Sequence, residues 1–93
     1  MRHPQVTAIA TFDDVLALRL LPVLGTLGIA VPERIAVIGF DDIEYGAFST
    51  PALTSVHIDA EGFGRMAARR ALGLDGESLA LAVPAQVIQR ESA

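Results

Sequence analysis

Val31-Pro32-Glu33-Arg34-Ile35-Ala36-Val37-Ile38-Gly39-Phe40-Asp41-Asp42 decides the reading of this chain. Pro32 closes off a preceding helix, residues 35–40 form a continuous apolar run, and two carboxylates follow at once. A strand that is apolar throughout, rather than alternating, is the pattern of a parallel strand covered on both faces. In open parallel sheets ligands bind beyond the C-terminal ends of the strands, where the loops converge on a crevice. Asp41 and Asp42 stand at that end, although Asp-Asp after a strand is also good turn chemistry.

Toward the N-terminus, residues 6–12 are a short β-branched and small apolar run, expected as a buried strand. Asp13 or Asp14 then offers an N-cap, accepting from the first-turn amides of a helix. We assign Asp14 to the cap and Asp13 to the ligand side. Residues 15–27 are apolar nearly all round, which points to a helix buried on more than one side. Pro22 removes one backbone donor and clashes with the preceding turn, at about 3 kcal/mol, so a kink or break is expected near Leu21. Gly25 weakens the last turn and Gly28 suits the residue just past the helix end.

Toward the C-terminus, Asp42 is expected to cap a loop or short helical turn over residues 42–49. Thr50-Pro51 favours extended backbone, and residues 53–58 read as a third strand. Asp59 caps a second helix, with Glu61 complementing its dipole. From Phe63 onward, Met66, Ala67, Arg70, Ala71 and Leu74 recur at helical spacing. Gly73, Asp75 and Gly76 end that helix, and a loop around residues 77–82 leads to a last strand over 83–88. The order strand, helix, strand, turn, strand, helix, strand predicts an α/β unit with a mostly parallel sheet flanked by helices.

Composition narrows the function. A chain of 93 residues is one small domain at most, burying roughly 60–65% of its unfolded surface. Yet 52% of its residues are hydrophobic and its mean hydropathy is positive, so an apolar face, and with it a partner, is expected. Only 19% of residues are charged and the net charge is −4, which excludes the basic footprint that a phosphate backbone needs. The absence of cysteine removes disulfides and thiolate zinc sites and suits a cytoplasmic location. No apolar run before Asp13 has the length of a signal peptide, and residues 15–24, interrupted by Arg19 and Pro22, are too short to span a bilayer.

Catalytic chemistry finds no support. Asp13 and Asp41 could in principle form a split carboxylate pair, but no histidine, lysine or nucleophile motif accompanies them. Gly62-Phe63-Gly64 lacks the third glycine and the strand-to-loop setting of a dinucleotide site. His57 is expected as a strand residue with a satisfied imidazole, His3 as a disordered terminal residue, and neither stands at metal-ligand spacing to the carboxylates. Arg65, Arg69 and Arg70 form a small solvated strip. We therefore expect no enzyme, no metal and no cofactor. Leu18 and Leu21 of the apolar helix, with Tyr45 and Phe48 of the loop, are the candidates for self-association.

Several pieces resemble one family in its order and near its spacing. These are Thr7-Ala8-Ile9 leading to Asp13-Asp14, Leu27-Gly28-Ile29-Ala30-Val31-Pro32-Glu33, Val37-Ile38-Gly39-Phe40-Asp41-Asp42, and Thr50-Pro51-Ala52-Leu53-Thr54-Ser55-Val56. Gly64-Arg65-Met66-Ala67 and the closing Val87-Ile88-Gln89-Arg90-Glu91-Ser92 continue the match. Together they resemble the effector domain of the LacI/GalR regulators of transcription, over nearly the whole chain.

The resemblance implies a partial periplasmic-binding-protein-like type I subdomain, with residues 1–93 as the C-terminal portion of a sugar-binding-like effector and dimerisation domain lacking the helix-turn-helix. It implies a small polar effector, a sugar or derivative, held with the help of a missing subdomain. Asp41 would accept from its hydroxyls. Asp13 falls where the family usually carries asparagine, so the ligand side gains a charge and loses a donor. Phe12 would line the pocket, and Ala60 leaves out the stacking ring of some sugar-responsive members. The family also places the first helix and the region after Asp41-Asp42 in its dimer interface. No direct nucleic-acid or membrane contact by these residues is implied. Two alternatives are a fragment of a transporter's sugar-binding protein, and a free-standing dimerisation module.

Overall fold

The computed structural model describes residues 2–74 and 83–93. Strand β1 spans Ala8–Ala10, helix α1 Asp14–Thr26, strand β2 Ala36–Ile38, a 3₁₀ turn Glu44–Phe48, strand β3 Ser55–His57, helix α2 Ala60–Ala71 and strand β4 Gln86–Ile88. The expected order of elements is present, with strands shorter than the apolar runs that contain them. The loop expected around residues 77–82 lies outside the described residues, as do Asp75 and Gly76.

β1 and β2 pair in parallel, Ala8 opposite Ala36, Ile9 opposite Val37 and Ala10 opposite Ile38. α1 is the crossover between them, as parallel neighbours require. The β2 line then passes to β3, through a parallel bridge between Ile38 and Thr54 and a bond from Gly39 N–H to Thr54 O (2.9 Å). β4 returns antiparallel to β3, Val56 facing Val87, so the α/β unit ends on a two-stranded ribbon. That direction of β4 is not readable from an apolar run.

One layer of core forms. Ala17, Leu21 and Leu24 of α1 pack with Ile35, Val37 and Leu53, and Ile9, Leu18, Leu20, Ile29 and Val31 close around them. These α1 positions follow the three-and-four spacing of one helical face. β1 departs from the expected buried strand, because Ala8 and Ala10 are exposed and only Ile9 is partly covered. The radius of gyration is 17.0 Å, against about 12 Å for a compact chain of this length. The excess apolar content lies outside accordingly: Val23, Leu27, Tyr45, Phe48, Phe63 and Leu72 are all exposed, and in α2 only Gly62 is buried.

Pro22 does not break α1, contrary to expectation; the helix runs unbroken through it to Thr26. Its ring sits on the exposed side while neighbouring Leu21 and Leu24 are anchored in the core. Tertiary packing thus carries the helix across the missing donor. Gly28 takes φ 71° just past the C-cap Leu27, and Gly73 does the same after Leu72, as their positions at helix ends require.

Ser92 fills the place where β2 and β3 diverge. Its hydroxyl donates to Val37 O (2.6 Å) and accepts from Thr54 N–H (2.8 Å), while its carbonyl accepts from Val37 N–H (2.7 Å). Arg90 N–H donates to Thr54 Oγ1 (2.8 Å) one step away. The closing residues are therefore part of the sheet's bonding. Ser92→Ala is expected to leave two buried backbone groups short of a partner and lower stability by about 1–3 kcal/mol, read from denaturant unfolding.

Asp59 caps α2 as expected, its carboxylate accepting from Gly62 N–H (2.9 Å) and from Val83 N–H (3.1 Å). The Gly62 bond, then the Val83 bond, hold its pKa below the ordinary carboxylate value. A lowered folded-state pKa stabilises above the unfolded value, and that contribution is lost as pH falls through the folded one. The Gly62 amide should accordingly lose protection from hydrogen exchange on acidification through the carboxylate range, before the α1 core amides do.

Candidate functional site

β1 and β2 end side by side, and their loops are stitched together. Thr11 donates its N–H to Ile38 O (2.9 Å) and its hydroxyl to Asp13 O (2.7 Å), and Asp14 N–H donates to Phe40 O (2.9 Å). The Thr11–Asp14 loop and the Phe40–Ile43 loop thus form one rim at the C-terminal end of the parallel pair. Asp13, Asp41 and Phe12 all stand on this rim.

The cap falls to Asp13 and not to Asp14, which corrects our assignment. Asp13 is the N-cap, in extended backbone, with Oδ1 accepting from Leu16 N–H (2.9 Å). Asp14 is the first helical residue and is fully buried, at 0% exposure. Its Oδ1 accepts from Ser55 Oγ (2.7 Å) and its Oδ2 from Ile43 N–H (2.8 Å). The physical reason is positional: a cap side chain must fold back onto amides two and three residues ahead, which Asp13 reaches. Asp14, one step on, points across to β3 and to the loop after β2. Asp13 still stands on the rim with its second oxygen unbonded among the described residues.

Asp42 does not cap the following turn either, because the turn's N-cap is Ile43, with no side-chain cap bond. Instead Asp42 Oδ1 accepts from Arg90 Nη2 (2.9 Å), and Oδ2 lies 3.1 Å from His57 Nδ1. Arg90 also donates through Nη1 to Leu53 O (2.8 Å). His57 is therefore a strand-end residue with a bonded imidazole, as expected. Asp42 ties the loop to the β3–β4 ribbon, and its charge is answered by a guanidinium.

Asp41 differs from both neighbours. It is exposed, its carboxylate has no partner among the described residues, and its φ is 108°. Asp42 follows at φ 55°, so two successive non-glycine residues take positive φ. Such conformations cost about 1–3 kcal/mol each and persist only where the surroundings over-determine them. Here three consecutive amides are each held: Asp41 N–H by Val56 O (2.9 Å), Asp42 N–H by Ser55 Oγ (3.0 Å) and Ile43 N–H by Asp14 Oδ2 (2.8 Å). A side chain at Gly39 would collide with Asp14 Oδ1, so the strand's last turn into the loop needs glycine there.

Phe12 stands 85% exposed at the tip of the first loop. Among the self-association candidates, Leu21 is a correction: it is only 7% exposed and belongs to the chain's own core, so a partner does not meet it. Leu18 lies half-buried at the core's edge, and Tyr45 and Phe48 are 73% and 74% exposed on the 3₁₀ turn. Sequence reasoning missed Asp14, Ser55, Arg90 and Ser92 as the residues that hold the rim. The signal was polar residues set inside or beside apolar strand runs, such as Ser55 within residues 53–58. Among the described residues, no group of three or more His, Asp or Glu side chains is placed to hold a metal ion, and no helix is long and apolar enough to cross a membrane. Neither Asp13 nor Asp41 has a cationic partner among them. The rim offers hydrogen-bond acceptors, which suits a ligand rich in hydroxyl donors.

Residues 1–93 match the family model of the periplasmic binding protein-like domain along their whole length. The chain is 41% identical over 61 residues to the HTH-type transcriptional repressor PurR of Vibrio vulnificus, covering 66% of this chain and 18% of that protein. It is 38% identical over 68 residues to the ribose operon repressor of Escherichia coli, covering 72% of this chain and 21% of that protein. A sugar-binding transcriptional regulator of the LacI family from Escherichia coli, solved in complex with phosphate, superposes with a TM-score of 0.78 at 30% identity, covering 94% of this chain and 32% of that one. The chain thus spans about a fifth of the length of the curated relatives it matches.

Proposed function

Because this chain belongs to the LacI/GalR family, as part of its periplasmic-binding-protein-like effector domain, we propose that it supplies one wall of a site for a small polar effector, a sugar or sugar derivative. The observation that carries the proposal is Asp41: an exposed carboxylate without a partner among the described residues, at the C-terminal end of the parallel pair, on backbone held rigid by three amide bonds. An ionised carboxylate accepts from two hydroxyls at once, and such charge-assisted bonds are the stronger kind. Asp13 adds an acceptor beside it and Phe12 an apolar face. Asp42, neutralised by Arg90, holds the loop and does not compete for the ligand.

In this reading the chain is the C-terminal portion of a cytoplasmic regulator whose DNA-binding part lies elsewhere, and the effector site is completed by a second subdomain. Closure around the effector biases a two-state equilibrium between DNA-competent and DNA-incompetent forms, which is coupling between distant sites. The named relatives are repressors and a regulator, which favours this over a transport component and over catalysis. Self-association through Tyr45, Phe48 and the edge residue Leu18 belongs to the same proposal. Two exposed aromatics on one short turn are the kind of anchors that interfaces use.

Two measurements check these statements. Isothermal titration of the native protein that carries this sequence, with D-ribose, sucrose and cellobiose, should show binding of a sugar. Asp41→Asn, which keeps one acceptor and tolerates positive φ, should weaken it about tenfold or more; unchanged affinity would remove Asp41 from the site. Sedimentation equilibrium of the Tyr45→Asp/Phe48→Asp double variant should show a shift from dimer toward monomer, and a dimer of undiminished stability would rule out this surface.

A further inference from the structure

We propose that Asp14 is the positioning residue of the effector site: it touches no ligand, and it fixes the backbone that presents Asp41. The inference rests on the effector-site reading above and goes beyond it by assigning the work of the buried carboxylate. α1 has no need of Asp14 for its start, since Asp13 already caps it. Burying a carboxylate costs several kcal/mol unless its oxygens are fully bonded, so a wholly buried one calls for a reason.

The bonds supply that reason. Asp14 Oδ2 accepts from Ile43 N–H directly, and Oδ1 accepts from the Ser55 hydroxyl, which leaves the Ser55 oxygen turned to accept from Asp42 N–H. Two of the three amides that hold the positive-φ pair therefore depend on Asp14. The third, Asp41 N–H to Val56 O, is a backbone bond made without Asp14, and by itself it leaves Asp42 and Ile43 free to relax. Gly39, which leads into the loop, is shaped around the same carboxylate, since any side chain there meets Asp14 Oδ1.

The chemistry also selects a carboxylate over its amide. Both partners are donors and an ionised carboxylate accepts from both. An amide would set its NH₂ against one of them. The Ile43 N–H cannot reverse and takes the amide oxygen, while Ser55 rotates to accept from the NH₂; charge-assisted bonds become weaker neutral ones, so an amide keeps the fold and loosens the loop.

The test compares Asp14→Asn and the milder Ser55→Ala with Asp41→Asn, all in the native protein that carries this sequence. Without ligand, residue-resolved hydrogen exchange should show the Ile43 amide in Asp14→Asn, and the Asp42 amide in Ser55→Ala, exchanging about tenfold or more faster, while the amides of Leu21 and Leu24 in α1 keep their protection. With D-ribose as the probe, Asp14→Asn should raise Kd about tenfold, chiefly through faster dissociation. In the Asp41→Asn background the same change should cost about twofold or less, because it acts through Asp41.

Unaltered exchange at residues 42 and 43, or an Asp14→Asn penalty of the same size with and without Asp41, overturns the positioning role. D-ribose that fails to bind the unaltered protein, or that binds Asp41→Asn as well as the unaltered protein, counts against the effector-site reading instead. The exchange measurement then still decides whether Asp14 holds the loop.

Discussion

A buried carboxylate, Asp14, joins three segments that are distant in sequence: the start of α1, the loop after β2 and the strand β3. Its bond to Ser55 Oγ is buried and its bond to Ile43 N–H partly so, which makes both stronger than at a surface and costly to lose. Much of the rim follows from this constraint. Gly39 must lack a side chain, Ser55 must carry a hydroxyl in a strand otherwise apolar, and the backbone after Phe40 must turn through positive φ so that three amides in a row face inward. The outward consequence is Asp41, whose carboxylate is left facing solvent.

A second set of bonds ties that rim to the rest of the sheet. Asp42 meets Arg90 and His57, Arg90 meets Leu53 and Thr54, and Ser92 fills the gap where β2 and β3 part. The ribbon β3–β4 leads into α2, so a ligand that moved Asp41 would pull on backbone continuous with that helix. This is a bonded path between two regions, and the physical content of coupling is that both ends bias the same element. The exposed apolar side chains of α2 and of the 3₁₀ turn belong to the same picture, because one layer of core covers too little of a chain that is 52% hydrophobic.

The differences between reading and structure have a common origin. Asp13 and Asp14 are identical residues side by side, and either satisfies the preference for an N-cap. Which one turns back onto the helix and which one points inward depends on the presence of Ser55, 41 positions further on. Pro22 carries a local penalty that local reasoning applies correctly, but Leu21 and Leu24 are buried on the far side of the helix and outweigh it. Leu21 looked like any other leucine of an apolar helix until the core claimed it and left Leu18 at the edge.

The class and order of the elements, the helix ends at Gly28 and Gly73, the cap at Asp59 and the placing of Asp41 beyond a parallel strand are all legible in the sequence. Those follow from short-range rules: steric limits on φ, the periods of helix and strand, and the hydrogen bonds a side chain makes within a turn of its own backbone. Tertiary contacts settle the antiparallel return of β4, the choice of Asp13 over Asp14 as the cap, the pairing of Asp42 with Arg90 and the insertion of Ser92. Each of these is a bond between groups about thirty or more residues apart or a choice between equivalent neighbours. Local chemistry leaves such choices degenerate, and the burial of polar groups that must all be satisfied at once is what resolves them.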